Sequence, residues 1–385
     1  MKHRILYVNP NSLMGGGEIN QLALVTHIDR DRFEVEAVVG GDGPYVDALR
    51  SAGIQTTVIK FACLRIRSRR LPRPAAVAEL HRHFQRTRPH LVHSASLTED
   101  HHSCVAALRA RVPVIHDQQT IVRRALLFDK WRARHSAAII CISNAIRQSL
   151  LRNGMAAPVV DTICSGVDPG IHKDVDAFRI RRELSLSGCD VVGMASRLAP
   201  EKGHGCFLEA AAMLKDRFPI CRFVIVGSPM YAPANYESGL RQMAAGLGLN
   251  GRVVFTGFRA DVLHVIAAMD VFVCASDEEA LGRGVLEAMA LGKPVVAARA
   301  GGVVETVQDG VTGFLVPPRD PVSLASAIST CLTDLDAARR MGLAGKERVR
   351  AFYSIQQNVD RVQRLYQRIL VPNSGSLPDE PADGR

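Results

Sequence analysis

A chain of 385 residues, 47% of them hydrophobic, is too long for one ordinary core and suggests two, while its nine scattered cysteines, with no Cys-x-x-Cys pair, speak against a disulfide framework or a zinc site. The net charge of +10 sits almost wholly in residues 1–170, where 23 Lys and Arg face 14 Asp and Glu, against 25 and 24 in the rest. That asymmetry points to an anionic partner for the first half, and with no apolar run of membrane-spanning length and Met1–Arg4 leading directly into a strand, the expected location is cytoplasmic or peripheral on the inner face of a membrane.

Ile5–Val8 reads as a first strand, followed by a loop ending in Gly15-Gly16-Gly17 and an amphipathic helix from Glu18 to about Ile28. A glycine-rich turn between strand and helix is either a phosphate cradle or simply a tight turn, and there is no Gly-x-Gly-x-x-Gly pattern to decide. Strand-like runs recur at 35–39, 57–59, 91–93, 112–115 and 138–142 with helical stretches between most of them, the pattern of a parallel sheet covered on both faces. Chemistry in such sheets gathers at the carboxyl ends of the strands. His116 stands at one such end, either as a hydrogen-bonding or charge-stabilising group or as a plain strand cap; His93 is the weaker candidate. His81, His83, His101 and His102 lack the acidic or cysteine neighbours of a metal site. Two segments, Leu64–Pro74 and Ile121–His135, interleave cations with apolar residues, and the second holds the only tryptophan. They read as solvated surface or as a contact with anionic lipid.

Asn144 is placed to cap a helix reaching about Asn153, and Ser165-Gly166-Val167-Asp168 follows a short apolar run. A second strand series then begins, at 191–195, 222–226, 252–256, 271–275, 294–298 and 313–316. After its first strand comes Ser196-Arg197-Leu198-Ala199-Pro200-Glu201-Lys202-Gly203, where two cations in a strand-to-helix connection can converge on one diphosphate. Val271–Ala275 feeds Asp277–Gly292, a glycine-bearing turn that passes into a helix; the helix start suits a phosphate, and Glu279 and Glu287 suit vicinal sugar hydroxyls, although spacing alone also fits solvated helix carboxylates. The Asp-x-Asp matches at 29–31, 174–176 and 334–336 follow no buried strand and read as solvated turns. Helices are expected to about Ala351 and again over Tyr353–Leu370, and the Pro, Gly, Ser and acidic residues 372–385 read as a disordered tail.

Three elements in order, Arg197 to Gly203, Glu279 to Glu287 and Gly310 to Pro318, resemble family 4 of the GT-B nucleotide-sugar glycosyltransferases. The resemblance implies two Rossmann-like, doubly wound domains facing a cleft: an acceptor domain over 1–168 with the helix 353–371 returning to it, and a donor domain over 174–350. It implies that Arg197 and Lys202 hold the donor diphosphate and offset its charge with no metal, that Glu279 faces the sugar, that Leu281 and Gly282 offer amides, and that Glu287 holds the ribose. It likewise implies that Gly15 and Gly16 approach the donor phosphate, that His116 is the functional histidine, and that Phe258 lines the base pocket. Glu305 is structural or a second donor-side contact. Ser165 replaces the usual asparagine at the hinge, and Arg283 stands where the family is apolar, where a cation could strengthen donor binding or restrict the sugar. The implied reaction moves a sugar from a UDP- or GDP-sugar to a glycan or glycolipid of the cell envelope or an exopolysaccharide, with retention and without a cofactor. Alternatives are a nucleotide-sugar epimerase on the same fold and a catalytically silent binder of anionic surfaces; at 5% aromatics, nucleic acid is disfavoured.

Overall fold

The computed structural model describes residues 2–61, 64–66, 69–171, 175–229, 233 and 235–371, with backbone alone at 64–66 and 69–70. The apolar, β-branched runs of the first half become β1 (His3–Asn9), β2 (Phe33–Val39), β3 (Gln55–Val58), β4 (Leu64–Ile66), β5 (Arg69–Leu71), β6 (Leu91–Ser94), β7 (Val114–Gln118), β8 (Ala138–Cys141) and β9 (Val160–Thr162). Those of the second half become β10 (Val191–Ala195), β11 (Arg222–Val226), β12 (Val253–Gly257), β13 (Val271–Cys274), β14 (Val295–Ala298) and β15 (Gly313–Val316). Seven of the first set form one parallel sheet in the order β3-β2-β1-β6-β7-β8-β9, and β4 and β5 pair separately as a hairpin. The second set forms a six-stranded parallel sheet, β12-β11-β10-β13-β14-β15. Most of these strands are buried nearly from end to end, as strands covered on both faces must be. The tail at 372–385 lies outside the described residues.

In each sheet the strand order reverses beside the first strand, between β1 and β6 and between β10 and β13. These switch points open crevices at the carboxyl ends of the strands, where β1 gives way to the glycine loop and β10 to the Arg197–Lys202 connection. The two halves dock on one another. A single apolar cluster runs through both, joining Val122, Ile142 and Ile146 to Leu281, Val285 and Val303.

The last helix, Ile355–Leu370, returns to the first domain, where Val359, Val362 and Tyr366 are buried with Ile5 and Tyr7 of β1. The Tyr366 hydroxyl bonds Tyr7 and lies 2.5 Å from His93 Nδ1, while His93 Nε2 lies 2.9 Å from Asp117 Oδ1. His93 is therefore a tie between the returning helix and the sheet. The two crossings between domains run side by side, with the Val167 amide donating to the Tyr353 carbonyl and the Ile355 amide to the Val167 carbonyl, both at 2.9 Å.

Local capping departs from expectation at two helices. The first begins at Gly16, and Glu18 reaches back to the Gly15 amide at 3.1 Å. At the other, Ser143 rather than Asn144 is the cap, its Oγ accepting from the Ile146 amide at 3.2 Å, because Asn144 is already the first helical residue. The Asp-x-Asp pairs act locally as well: Asp176 and Asp334 cap the helices that follow them, and Asp29 accepts from the Asp31 amide.

Candidate functional site

Between the two sets of strand ends lies a cleft of about 910 Å³. Its first-domain wall is built from the ends of β1, β6 and β7: Asn9, Asn11 and the glycine loop Gly15–Gly17, then Ser96 and Glu99, then Gln119 and Thr120. Its second-domain wall carries Arg197, Lys202, Asp277, Glu279 and Arg319. Glu201 and Glu278 line this wall as well, and each of its three cations is paired with a carboxylate, Arg197 with Glu201, Lys202 with Glu279 and Arg319 with Asp277, so an anionic ligand would bind by exchanging those partners, while the first wall, rich in amides and hydroxyls, suits a polyhydroxylated one.

Lys202 and Glu279 form the centre of the second wall. Lys202 Nζ lies 2.6 Å from Glu279 Oε2, which also accepts from Ser276 Oγ at 3.1 Å. Both side chains are mostly shielded, at 14% and 16% exposure, which strengthens their mutual attraction over that of a surface pair. Two glycines make this approach possible. Gly203 has φ of +71°, and a Cβ there would stand 1.9 Å from the Ala275 carbonyl oxygen, so only glycine lets the Lys202 turn pack on the end of β13. Gly301, at φ of +53°, lies under the Glu279 carbonyl with the same 1.9 Å clearance, and the Gly302 amide donates to that carbonyl at 2.9 Å. The turn carrying Glu279 is thus held from below.

Arg197 enters the cleft hydrogen-bonded to Glu201, and Arg319 pairs with Asp277 at 2.7 Å. Arg319 is a cation the sequence reading passed over. Its signal was position, since it follows β15 directly, at a strand's carboxyl end like every other member of the site.

Several expected residues stand elsewhere. His116 is fully buried in β7 and does not line the cleft; its Nδ1 pairs with Ser136 Oγ at 3.0 Å, and burial drives its pKa well down, against the pull of Asp100. Helices cover both faces of β7: His116 meets Ser136 after the helix Leu127–His135 on one face, and Asp117 meets His93, itself bonded to Tyr366 of the returning helix, on the other, so neither side chain reaches the opening. Glu287 is not among the residues lining the cleft: its carboxylate takes Arg283 Nε at 2.8 Å, and burial raises its pKa despite that cation. Arg283 further donates to Asn20 Oδ1 of the first-domain helix Gly16–His27, so it braces Glu287 and the domain contact. Leu281 and Gly282, expected through their backbone amides, directly follow Ala280 of the cleft lining, with the Leu281 side chain buried and Gly282 capping the helix Arg283–Ala290 at φ of +86°, while Phe258 is exposed beyond β12, outside the lining. Of the expected set, Gly15, Gly16, Arg197, Lys202 and Glu279 come together.

Glu305 belongs to the domain contact. Its carboxylate accepts from the backbone amides of Asn144 and Ala145, each at 2.8 Å, at the start of the helix Asn144–Arg152 in the other domain. Beside it Ser143 Oγ donates to the Ala280 carbonyl at 2.6 Å, and at the cleft mouth Arg123 meets Glu278 at 3.0 Å.

Two doubly wound domains facing one another across a cleft define the GT-B class. The model of Glycosyltransferase Family 4 matches residues 14–170, and that of Glycosyl transferases group 1 matches residues 189–334. A D-inositol 3-phosphate glycosyltransferase of Corynebacterium efficiens is 30% identical over 299 residues, covering 71% of this chain and 70% of that protein. The GDP-mannose-dependent alpha-(1-6)-phosphatidylinositol monomannoside mannosyltransferase of Mycolicibacterium smegmatis is 39% identical over 198 residues, 49% of each chain. Among solved structures, Anabaena HepE in complex with UDP and glucose superposes with a TM-score of 0.84 at 26% identity, over 94% of this chain and 99% of that one. The chain belongs to glycosyltransferase family 4. It spans from about half to just under two thirds of the length of the first curated relatives it matches.

Proposed function

We propose that this protein is a glycosyltransferase that moves a sugar from a nucleoside diphosphate sugar, with UDP or GDP as carrier, to a glycan or glycolipid acceptor, with retention of anomeric configuration. One observation carries the reading: Arg197, Lys202 and Arg319 converge on one wall of a cleft whose other wall holds the Gly15–Gly17 loop and a row of amides and hydroxyls. The cations take the diphosphate and stabilise its charge as the glycosidic bond breaks, which is the largest electrostatic demand of the transfer. A diphosphate drawing Lys202 toward itself frees Glu279 to accept from sugar hydroxyls, so the pair exchanges one partner for another instead of leaving either charge bare. The acceptor lies against Asn11, Ser96, Glu99 and Gln119. His116 has no part in this arrangement, because its ring is buried away from the cleft. Binding of UDP or UDP-glucose by a structural neighbour and of GDP-mannose by a curated relative supports a nucleotide-sugar donor without choosing the base.

Calorimetric titration with UDP and GDP, followed by nucleotide release from the matching sugar with and without an acceptor extract, tests the reading. Release that requires acceptor, with a product doublet of the donor's anomeric configuration by proton NMR, is the expected result. Donor turnover without acceptor would favour an epimerase, and binding of neither nucleotide would overturn the proposal.

A further inference from the structure

The helix Leu127–His135 carries a surface that the transfer reaction does not use. Leu127 is 86% exposed and Trp131 37%, and with Arg134 they follow the i, i+4, i+7 spacing of one helix face. Trp131 is held flat by stacking on Phe128, with ring centroids 5.6 Å apart at 10°, so an aromatic plate is fixed at the surface rather than folded inward. Cations frame this face: Arg124 before the helix, Lys130 and Arg134 within it. The helix's one carboxylate is consumed internally. Asp129 accepts from Arg132 at 2.6 Å and from the Leu126 amide at 2.8 Å, and Arg132 is itself fully buried, bonded to the carbonyls of Leu97 and Asp100. Nothing anionic on this helix is left to offset the exposed Arg134 and the half-buried Lys130. A second element extends the patch: Lys130 Nζ approaches the Gly154 turn at the end of the helix Asn144–Arg152, where Leu151 is 38% exposed beside exposed Arg152. The segment joins the cleft directly, since Ile121 and Arg123 line its mouth.

Exposed leucine and tryptophan ringed by Arg and Lys form the composition that settles at a headgroup boundary, with apolar groups at acyl depth and cations on lipid phosphate. We propose that this face rests on an anionic lipid bilayer, with Leu127 and Trp131 inserted and Arg124, Lys130, Arg134 and Arg152 on the phosphates. The further consequence, that the cleft mouth is then turned toward an acceptor embedded in the bilayer, rests on the transferase reading above.

Sedimentation with vesicles of phosphatidylcholine alone, and of phosphatidylcholine mixed with phosphatidylglycerol, tests the surface without any donor. The wild type is expected in the pellet with the mixed vesicles and in the supernatant with the neutral ones. Each surface cation contributes roughly fivefold to such partitioning, so Arg124→Glu/Arg134→Glu loses at least about twentyfold. Leu127→Ser/Trp131→Ser is expected to lose binding too, while UDP affinity in both double variants stays that of the wild type and reports on folding. Equal recovery with both vesicle types, recovery with neither, or variants that pellet like the wild type would overturn the proposal. So would a wild-type dimer that the Leu127→Ser/Trp131→Ser change splits, since the face would then belong to a second copy. A chain that pellets as expected yet binds neither nucleotide would keep the surface and sink the transferase reading.

Discussion

Replacing Glu305 with alanine removes the carboxylate that one domain places on a helix start in the other. Its two bonds, to the Asn144 and Ala145 amides at 2.8 Å, are charge-assisted, and they sit where the helix dipole favours an anion. Such bonds contribute about 1.5–3 kcal/mol each when buried. Asn144 is exposed and Glu305 only half-buried, so water replaces part of what is lost, and a total near 2 kcal/mol is the reasonable figure. Hydrogen exchange at the two amides reads this directly: about 2 kcal/mol corresponds to roughly thirtyfold faster exchange in Glu305→Ala. Glu305→Gln, which keeps an acceptor oxygen without the charge, should fall between, and Glu305→Lys should be worse than alanine because it sets a cation against the dipole. The backbone of Glu305 is anchored independently, its carbonyl accepting from Arg348 and from the Tyr353 hydroxyl, so the turn itself survives the change. Exchange at Asn144 and Ala145 that is unaltered in Glu305→Ala would refute the reasoning, whatever happens to the melting temperature.

At the cleft, Lys202→Ala should weaken UDP binding by about thirtyfold, the loss of one charge-assisted contact, and lower turnover as well. Glu279→Ala should instead lower kcat more than it raises the donor KM, and unchanged kinetics in both would remove the pair from the site. His204 is fully buried, and burial pushes its pKa from 6.5 down to about 4. A depressed folded pKa means stability that is complete above 6.5 and lost as the pH falls toward about 4, some 3 kcal/mol in all. Melting temperature should drop across that window, and His204→Gln should flatten the drop; an equally steep variant would refute the assignment. Arg283→Leu leaves the Glu287 carboxylate buried without its cation. Because the Glu287 pKa is already raised, the added cost appears as pH rises, so the variant should lose thermal stability from acid toward neutral pH more steeply than the wild type. Adding Glu287→Gln should restore most of it.

The alternation of apolar runs with helices, the turn at Gly15–Gly17, the Arg197–Lys202 connection and the Glu279 turn were all legible in the sequence. Each depends on neighbours a few residues away, through strand and helix periodicity, turn chemistry and the rule that strand ends carry the site. Facing was not legible. Period-two alternation puts His116 and Asp117 on opposite sides of β7, but how helices pack over both sides is a tertiary matter, and it buried both residues. Arg132 lies in a run that reads as basic surface, yet it is folded inward onto two carbonyls, leaving Leu127 and Trp131 outside. Glu287 found its cation four residues away on its own helix, at Arg283. Contacts across the chain were the least accessible of all: Glu305 meets Asn144 over 161 intervening steps, and Lys202 meets Glu279 over 77. The sequence by itself determined the elements and the loops that end them. Only the tertiary structure, by bringing two sheets face to face, decided which loop residues share a cleft, because that meeting depends on the docking of whole domains rather than on any local preference of the chain.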